Sequence, residues 1–338
     1  MMNIDNLWSR GTEFLGTKYS IMAGAMSWVS EHNLVSAISN AGGFGVLACG
    51  SMGPDLLRKE IRLTKEKATK PFGVNLITMH PEIMELSKVC IEEKVTHLVL
   101  AGGLPRASYI SLFKDSGIKI LCFAPTLSLA KRMIKFGADA LIIEGMEAGG
   151  HIGSVSTAVL AQEILPHIHE VPVFIAGGIG RGEMIINYLR MGASGCQLGT
   201  RFVCATESIA HKKFKDLFIK ANARDAVTSI QVDPEFSVIP VRALSNKATS
   251  YFIQAQKEAI LKYKDGSLSK LEAQLEIEKF WAGALRRAVI EGDIENGSVM
   301  AGQSVGMVSR EQTAVDIIEE LVSQAKTSLK EGPSSCNS

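Results

Sequence analysis

Eight short apolar runs constrain this chain more than any other feature. They read YSIMAG (19–24), FGVLACG (44–50), FGVNLIT (72–78), HLVLAGG (97–103), KILCFAP (119–125), ALIIEG (140–145), PVFIAGG (172–178) and GCQLGTRF (195–202). Near-continuous hydrophobicity suits parallel strands that are covered on both faces. The segments between them have helical spacing. EHNLVSAISNAG places Leu34, Ala37, Ile38 and Ala41 on one face, with Gly42 as the C-terminal stop. PEIMELSKVCIEEK starts with Pro81 at the first helical position, and LSLAKRMIKFGA and RGEMIINYLRMGA each end in a Gly-Ala step. Strands alternating with helices over about 200 residues define an α/β chain. A doubly wound open sheet is the competing arrangement. The count of eight and the even spacing predict a (β/α)8 TIM barrel over residues 1–222. Its active site would lie at the C-terminal strand ends, where the small residues fall.

The chain beyond the last run exceeds what one closing helix needs. ESIAHKKFKDLFIKANA is the expected helix after the eighth strand. Residues 251–292 read as mostly helical, broken near Gly266, and a glycine-rich stretch, GDIENGSVMAGQSVGMV, follows. A last helix is expected in SREQTAVDIIEELVSQAKTSL, with Ser309 and Gln312 spaced as a capping box. Residues 223–330 are therefore expected to form a smaller, mainly helical subdomain over or beside the barrel mouth, and 331–338 a disordered tail.

Composition removes several function classes. The 338 residues are 46% hydrophobic and 21% charged with a formal net charge of +1, and no basic cluster predicts nucleic-acid binding. The six cysteines, Cys49, Cys90, Cys122, Cys196, Cys204 and Cys336, include no CxxC pair, so no zinc site is expected. They read as reduced thiols of a cytoplasmic protein. The N-terminal MMNIDNLWSRG has no signal-peptide pattern, and no apolar run reaches the ~18 residues that would span a membrane.

The strand ends carry the candidate chemistry. Gly177 and Gly178 end one strand, Gly199 and Thr200 the next, and Gly149 and Gly150 follow the strand before them. Barrels commonly hold a phosphate at such glycine-rich ends, where backbone N–H groups meet the anion and a hydroxyl such as that of Thr200 adds a donor. Tight turns are the competing role for these glycines. Successive ends that lack bulk imply a large flat ligand across the mouth. Sugar phosphate, nucleotide, pyridoxal phosphate and flavin mononucleotide are the options. Pyridoxal phosphate needs a lysine that no strand end here supplies. Asn75 in GVNL offers an amide to a flavin ring edge, or an internal hydrogen bond closing its strand. His151 sits among glycines in IIEGMEAGGHIGSVST, a proton donor or base beside a ligand that backbone can approach.

GMEAGGHIG, AGGIGRG, QLGTRFVCATESIAH and EGDIENGSVMAGQSVGMVS together resemble the nitronate monooxygenase family of barrel flavoproteins. Within it they are most similar to the flavin-type enoyl-acyl-carrier-protein reductases (enoyl reductase II). The likeness runs from IMAGAMSWVSEHNLVSAISNAGGFG to the last helix, and GDIENGSVMAGQ is its reductase-like mark. It implies non-covalent FMN at the barrel mouth and, usually, a homodimer. By the same resemblance Asn75 binds the ring region, and Glu144, Gly149 and Gly178 contact the cofactor. Gln197, Leu198, Gly199 and Thr200 hold its phosphate end, Ala23, Gly24 and Met26 lie against the isoalloxazine, and His151 is the active-site histidine. Nitronate monooxygenases usually carry Gln where this chain has Glu144, and the reductases carry Glu. The family often has Gln at the position of Ala23, a departure that bears on substrate more than on flavin. The expected activity is NAD(P)H-dependent reduction of trans-2-enoyl thioesters, on an acyl carrier protein or a small molecule. The alternatives are oxidation of alkyl nitronates with O2 and flavin binding without turnover.

Overall fold

The computed structural model describes residues 3–331 apart from Glu235 and Ser237. Residues 332–338 of the expected tail, with Cys336, lie outside the described residues. The strands, in chain order, are β1 (Ile21–Ala23), β2 (Val46–Ala48), β3 (Gly73–Ile77), β4 (His97–Ala101), β5 (Lys119–Phe123), β6 (Ala140–Glu144), β7 (Gly150–His151), β8 (Val173–Ala176), β9 (Gly195–Leu198), β10 (Ala226–Thr228), β11 (Val241–Leu244) and β12 (Val299–Met300). Eight of them form one parallel sheet in the order β1-β9-β8-β6-β5-β4-β3-β2. Met22 and Phe44 then bridge its two edges, with Ala23 N–H donating to the Phe44 carbonyl at 2.8 Å and Phe44 N–H to that of Ile21 at 2.9 Å. The sheet thus closes as the predicted (β/α)8 barrel, and each of the eight apolar runs supplies one strand.

Strand alternation sorts the side chains into two cores. Met22, Val46, Val99, Leu121, Ile142 and Phe174 fill the barrel interior. Their neighbours, among them Ile21, Leu47, Leu98, Ile120, Ile143 and Cys196, pack outward against the helices. Each such side chain, fully buried, contributes about 1.5–3 kcal/mol of transfer free energy. Phe14 and Leu15 plug the N-terminal end of the barrel. There Nε2 of His97 meets the Phe14 carbonyl at 3.0 Å and burial pushes the imidazole down to about 4, so the neutral ring donates that bond.

Helix limits follow local chemistry. Helix Leu127–Phe136 starts at Thr126, whose hydroxyl accepts from Leu129 N–H, and stops at left-handed Gly137. Helix Lys270–Val289 opens with a Ser269/Glu272 capping box. Two boundaries differ from the sequence reading. Pro81 precedes its helix, which runs Ile83–Glu92 with Glu82 as the N-cap residue. The last helix runs Ala314–Glu331, so its cap is not at Ser309; the Thr313 hydroxyl accepts from Asp316 N–H at 3.1 Å while the Asp316 carboxylate takes Thr313 N–H at 3.2 Å.

The C-terminal part divides in a way the sequence did not suggest. Helices Lys247–Lys264 and Lys270–Val289 share their own core of Phe252, Ile260, Ile277 and Trp281. The subdomain is mainly helical as expected, and a small sheet of β10, β11 and β12, joined by β7 from the barrel, accompanies the helices. The last helix packs instead on the barrel wall through Ile317, Ile318 and Leu321. A side chain at Gly182 would stand 2.0 Å from the Leu321 carbonyl oxygen, which shows how close that helix lies. Cys49, Cys90, Cys122, Cys196 and Cys204 are free and buried. No helix of the described residues is long and apolar enough to cross a membrane.

Candidate functional site

The alternation that fills the barrel also aims polar groups at its mouth. On β3, Val74 and Leu76 face the helices, so Asn75 turns inward; on β6, Ile143 faces outward and Glu144 inward; on β9, Cys196 and Leu198 face outward and Gln197 inward. Ala176 ends β8 in the same inner layer. Asn75, Glu144 and Gln197 thus converge from three strands. The Asn75 Nδ2 donates to the Val99 carbonyl at 3.0 Å, so the amide does close its strand and keeps Oδ1 for another partner. No hydrogen-bond partner reaches the side chain of Glu144 or Gln197 among the described residues. Ala23 and Leu198 are 2% exposed and pack outward, so only their backbone can face the mouth.

Glycines at these ends let segments cross. Gly177 and Gly178 have φ of 95° and 72°, left-handed values that favour glycine. A Cβ on Gly178 would lie 2.9 Å from that of Glu147, and a Cβ on Gly149 only 2.6 Å from the Ala301 carbonyl carbon and Gly302 N. The turn role of these glycines is therefore present, and Gly149 is needed where the C-terminal loop crosses the segment after β6. Gly302 N–H donates to the Thr200 hydroxyl oxygen at 3.0 Å, which leaves that hydroxyl's own proton to donate. On the β1 side Gly24 lies against Gln197, and the Met26 sulfur lies 3.5 Å from the place a Cβ on Gly199 would take.

His151 is in a strand rather than a free loop. Val241 of β11 pairs with His151 and Arg242 with Gly150, antiparallel, and Ile152 N–H donates to the Pro240 carbonyl at 2.9 Å. The imidazole is exposed, on the subdomain side of the mouth. Sequence reasoning missed the residues that hold this segment. Glu147 takes the N–H and hydroxyl of Thr157 on its carboxylate at 2.9 and 2.8 Å, and its carbonyl accepts from Gln303 N–H at 2.9 Å. Arg242 is 3% exposed and donates from Nε to the Met146 carbonyl at 2.9 Å and from Nη1 to that of Ala226 at 2.5 Å. An arginine inside the apolar run IPVRAL was the available signal.

Two other features stand apart from the mouth. A groove of about 800 Å³ lined by Gln312, Glu320 and Gln324 lies on the outer wall and includes none of the mouth residues. Glu31, His32 and Glu60 bring potential ligand atoms together, but Glu31 caps helix His32–Asn40 and Glu60 takes His32 N–H, so their oxygens serve the helix start.

Glu144 carries the clearest electrostatic signature. Surrounded by protein at the end of β6, its carboxyl is pushed up to about 8 by desolvation. Unfolded, it would ionise near the ordinary 4.5. Between those values the folded chain holds a proton that the unfolded chain releases, so this group's stabilising contribution is lost as pH rises through the folded value. In protein dialysed free of small ligands, wild-type stability relative to Glu144→Gln should fall steadily from about pH 5 to pH 8 in urea unfolding. A flat difference would mean an ordinary carboxylate.

The sequence matches the family described as Nitronate monooxygenase over residues 9–100 and 86–324. Among solved structures, FabK from Thermotoga maritima superposes with a TM-score of 0.84 at 36% identity, covering 95% of this chain and 97% of its own. The (3aS,4S,5R,7aS)-5-hydroxy-7a-methyl-1-oxo-octahydro-1H-indene-4-carboxyl-CoA dehydrogenase of Rhodococcus jostii is 28% identical, over 93% of this chain and 94% of its own. The nitronate monooxygenase of Paraburkholderia phytofirmans is 26% identical, over 94% and 95%. A barrel closed by eight parallel strands, with polar groups and crossing glycines at the mouth, and matches that span nearly its full length, place this chain in the nitronate monooxygenase family of flavin-dependent oxidoreductases.

Proposed function

We propose that the chain reduces trans-2-enoyl thioesters with NAD(P)H, using FMN bound at the barrel mouth. One observation carries the reading: the 36% identity with FabK, an enoyl-acyl-carrier-protein reductase II, runs through barrel and C-terminal subdomain alike, over 95% of this chain. The relative that acts on a carboxyl-CoA compound supports a thioester substrate. Glu144, where nitronate monooxygenases usually carry Gln, points the same way.

The residues fit the cofactor. Asn75 through its Oδ1, Glu144 and Gln197 present polar groups not committed to the fold, and the strand ends around them carry glycine or alanine rather than bulk. Gln197, Gly199 and the Thr200 hydroxyl would hold the phosphate, with backbone of Gly177 and Gly178 beside it. Gly24 and Met26 would flank the ring, with backbone of Ala23 and Leu198. When bound, FMN would carry hydride from NAD(P)H to the β-carbon of the substrate. Overall, NAD(P)H, a proton and the enoyl thioester become NAD(P)+ and the saturated thioester. His151 supplies the proton at the α-carbon, or a hydrogen bond to the thioester oxygen as charge gathers there, roles worth roughly 10²–10⁴-fold. The subdomain, which pairs with the His151 strand through β11, roofs the substrate's acyl chain.

Nitronate oxidation with O2 on the same site is the second reading, favoured by the relative of that name. Anaerobic stopped-flow separates the two. NADH or NADPH should bleach the flavin, and crotonyl-CoA should restore its colour. Bleaching by propionate 3-nitronate but by neither nicotinamide would establish the second reading, and bleaching by none would leave a flavin-binding protein without turnover. His151→Ala should slow the crotonyl-CoA step by roughly 10²-fold while sparing the nicotinamide step. The opposite pattern would make His151 a cofactor-positioning group.

A charge test addresses the phosphate end. A Cβ on Gly199 meets only Met26, at ordinary contact distance, so a side chain fits there. Gly199→Asp should weaken FMN binding by at least about tenfold through repulsion of the phosphate dianion, whereas neutral Gly199→Asn should cost far less. Equal affinities in a fluorescence titration would move the phosphate elsewhere.

A further inference from the structure

The geometry points to Arg242 as a positioning residue for His151, through which the C-terminal subdomain sets the angle and height of the imidazole over the barrel mouth. This inference rests on the reading of His151 as the substrate-facing group. Three observations on the fold carry it. Arg242 lies on β11, directly opposite Gly150 in the pair that makes Val241 the partner of His151. Its guanidinium adds side-chain bonds to the pairing that β11 already makes with β10 and β7: it reaches the Met146 carbonyl, five residues before His151 and outside β7, and the Ala226 carbonyl on β10. Its surroundings are closed, at 3% exposure, and Glu147 supplies the nearby negative charge.

The local chain explains why such a clamp is needed. Between β6 and β7 lie Gly145 and Gly149, and Gly150 opens β7, so the path to His151 has little stiffness of its own. β7 is only two residues long. Glu147 is fixed from the barrel side by Thr157, and Arg242 fixes Met146 from the subdomain side. The planar fork reaches both carbonyls from one buried position, which a lysine's single ammonium cannot reproduce. A misplacement of about 1 Å at a proton donor costs on the order of 10²-fold in rate, so a distant clamp has catalytic leverage.

The test uses holoenzyme and the crotonyl-CoA half-reaction in four proteins: wild type, Arg242→Ala, His151→Ala and the double variant. Arg242→Met, which keeps the apolar stem, stands beside the alanine variant. Arg242→Ala and Arg242→Met should each slow the half-reaction at least about tenfold, with FMN content and flavin reduction by nicotinamide unchanged. Arg242→Lys should recover only part of the rate. Amide hydrogen exchange should quicken in residues 146–152, Ile152 included, and not in the barrel strands. In the His151→Ala background, removing Arg242 should slow the step by less than about twofold, because a residue that works through His151 has nothing left to position. Equal slowing in both backgrounds would overturn the inference, as would a normal rate in Arg242→Ala. Loss of the barrel fold in both the alanine and methionine variants would also overturn it, making Arg242 a folding residue. If His151→Ala alone leaves the half-reaction untouched, the reading of the site fails first and this inference with it.

Discussion

The whole mouth of this barrel depends on one crossing. The segment that leaves β6 and the loop that leaves β12 pass each other so closely that a single methyl group at Gly149 would lie 2.6 Å from backbone atoms of Ala301 and Gly302. Three consequences follow. Gly302 N–H reaches the Thr200 hydroxyl and ties the end of β9 to the same crossing. Gln303 N–H reaches the Glu147 carbonyl. The segment is then delivered to β11, which takes up Gly150 and His151 as a strand. A loop about 150 positions further along the chain, residues 301–303, thereby helps to fix where the histidine stands.

Burial decides which polar groups serve the fold and which remain for a ligand. Arg242 and Thr157 spend their donors on carbonyls and on Glu147, so they are structural in their immediate contacts. Glu144 and Gln197 sit in the same inner layer and have no such partner. Their polar atoms are thus free to meet a ligand. Desolvation pushes the Glu144 carboxyl up to about 8, which favours the neutral acid, able to donate a hydrogen bond as well as accept one.

The barrel was legible because hydrophobic burial writes directly into sequence: eight apolar runs gave eight strands, with helices between them capped by residues such as Thr126 and Gly137. Candidate mouth positions were legible as glycines and lone polar residues at run ends. Side-chain direction was not, because it follows strand phase and closure. Ala23 and Leu198, one step from Gly24 and Gln197, turn outward. The C-terminal region was legible as mainly helical, but its small sheet was not, because β7, β10 and β12 are only two or three residues long, too short for any periodicity. Arg242 escaped for a related reason. Its partners are backbone carbonyls from Met146 and Ala226, and carbonyls leave no mark on composition.

Diffraction from crystals of the protein as purified tests the central claim most directly. The account predicts FMN density across the mouth, its ring beside Asn75, Glu144, Gly24 and Met26, its phosphate held by Gln197, Gly199 and Thr200 next to the backbone of Gly177 and Gly178, and His151 on the open side of the ring. A phosphate bound elsewhere on the barrel, or a flavin whose ring is closed off from His151, would contradict it.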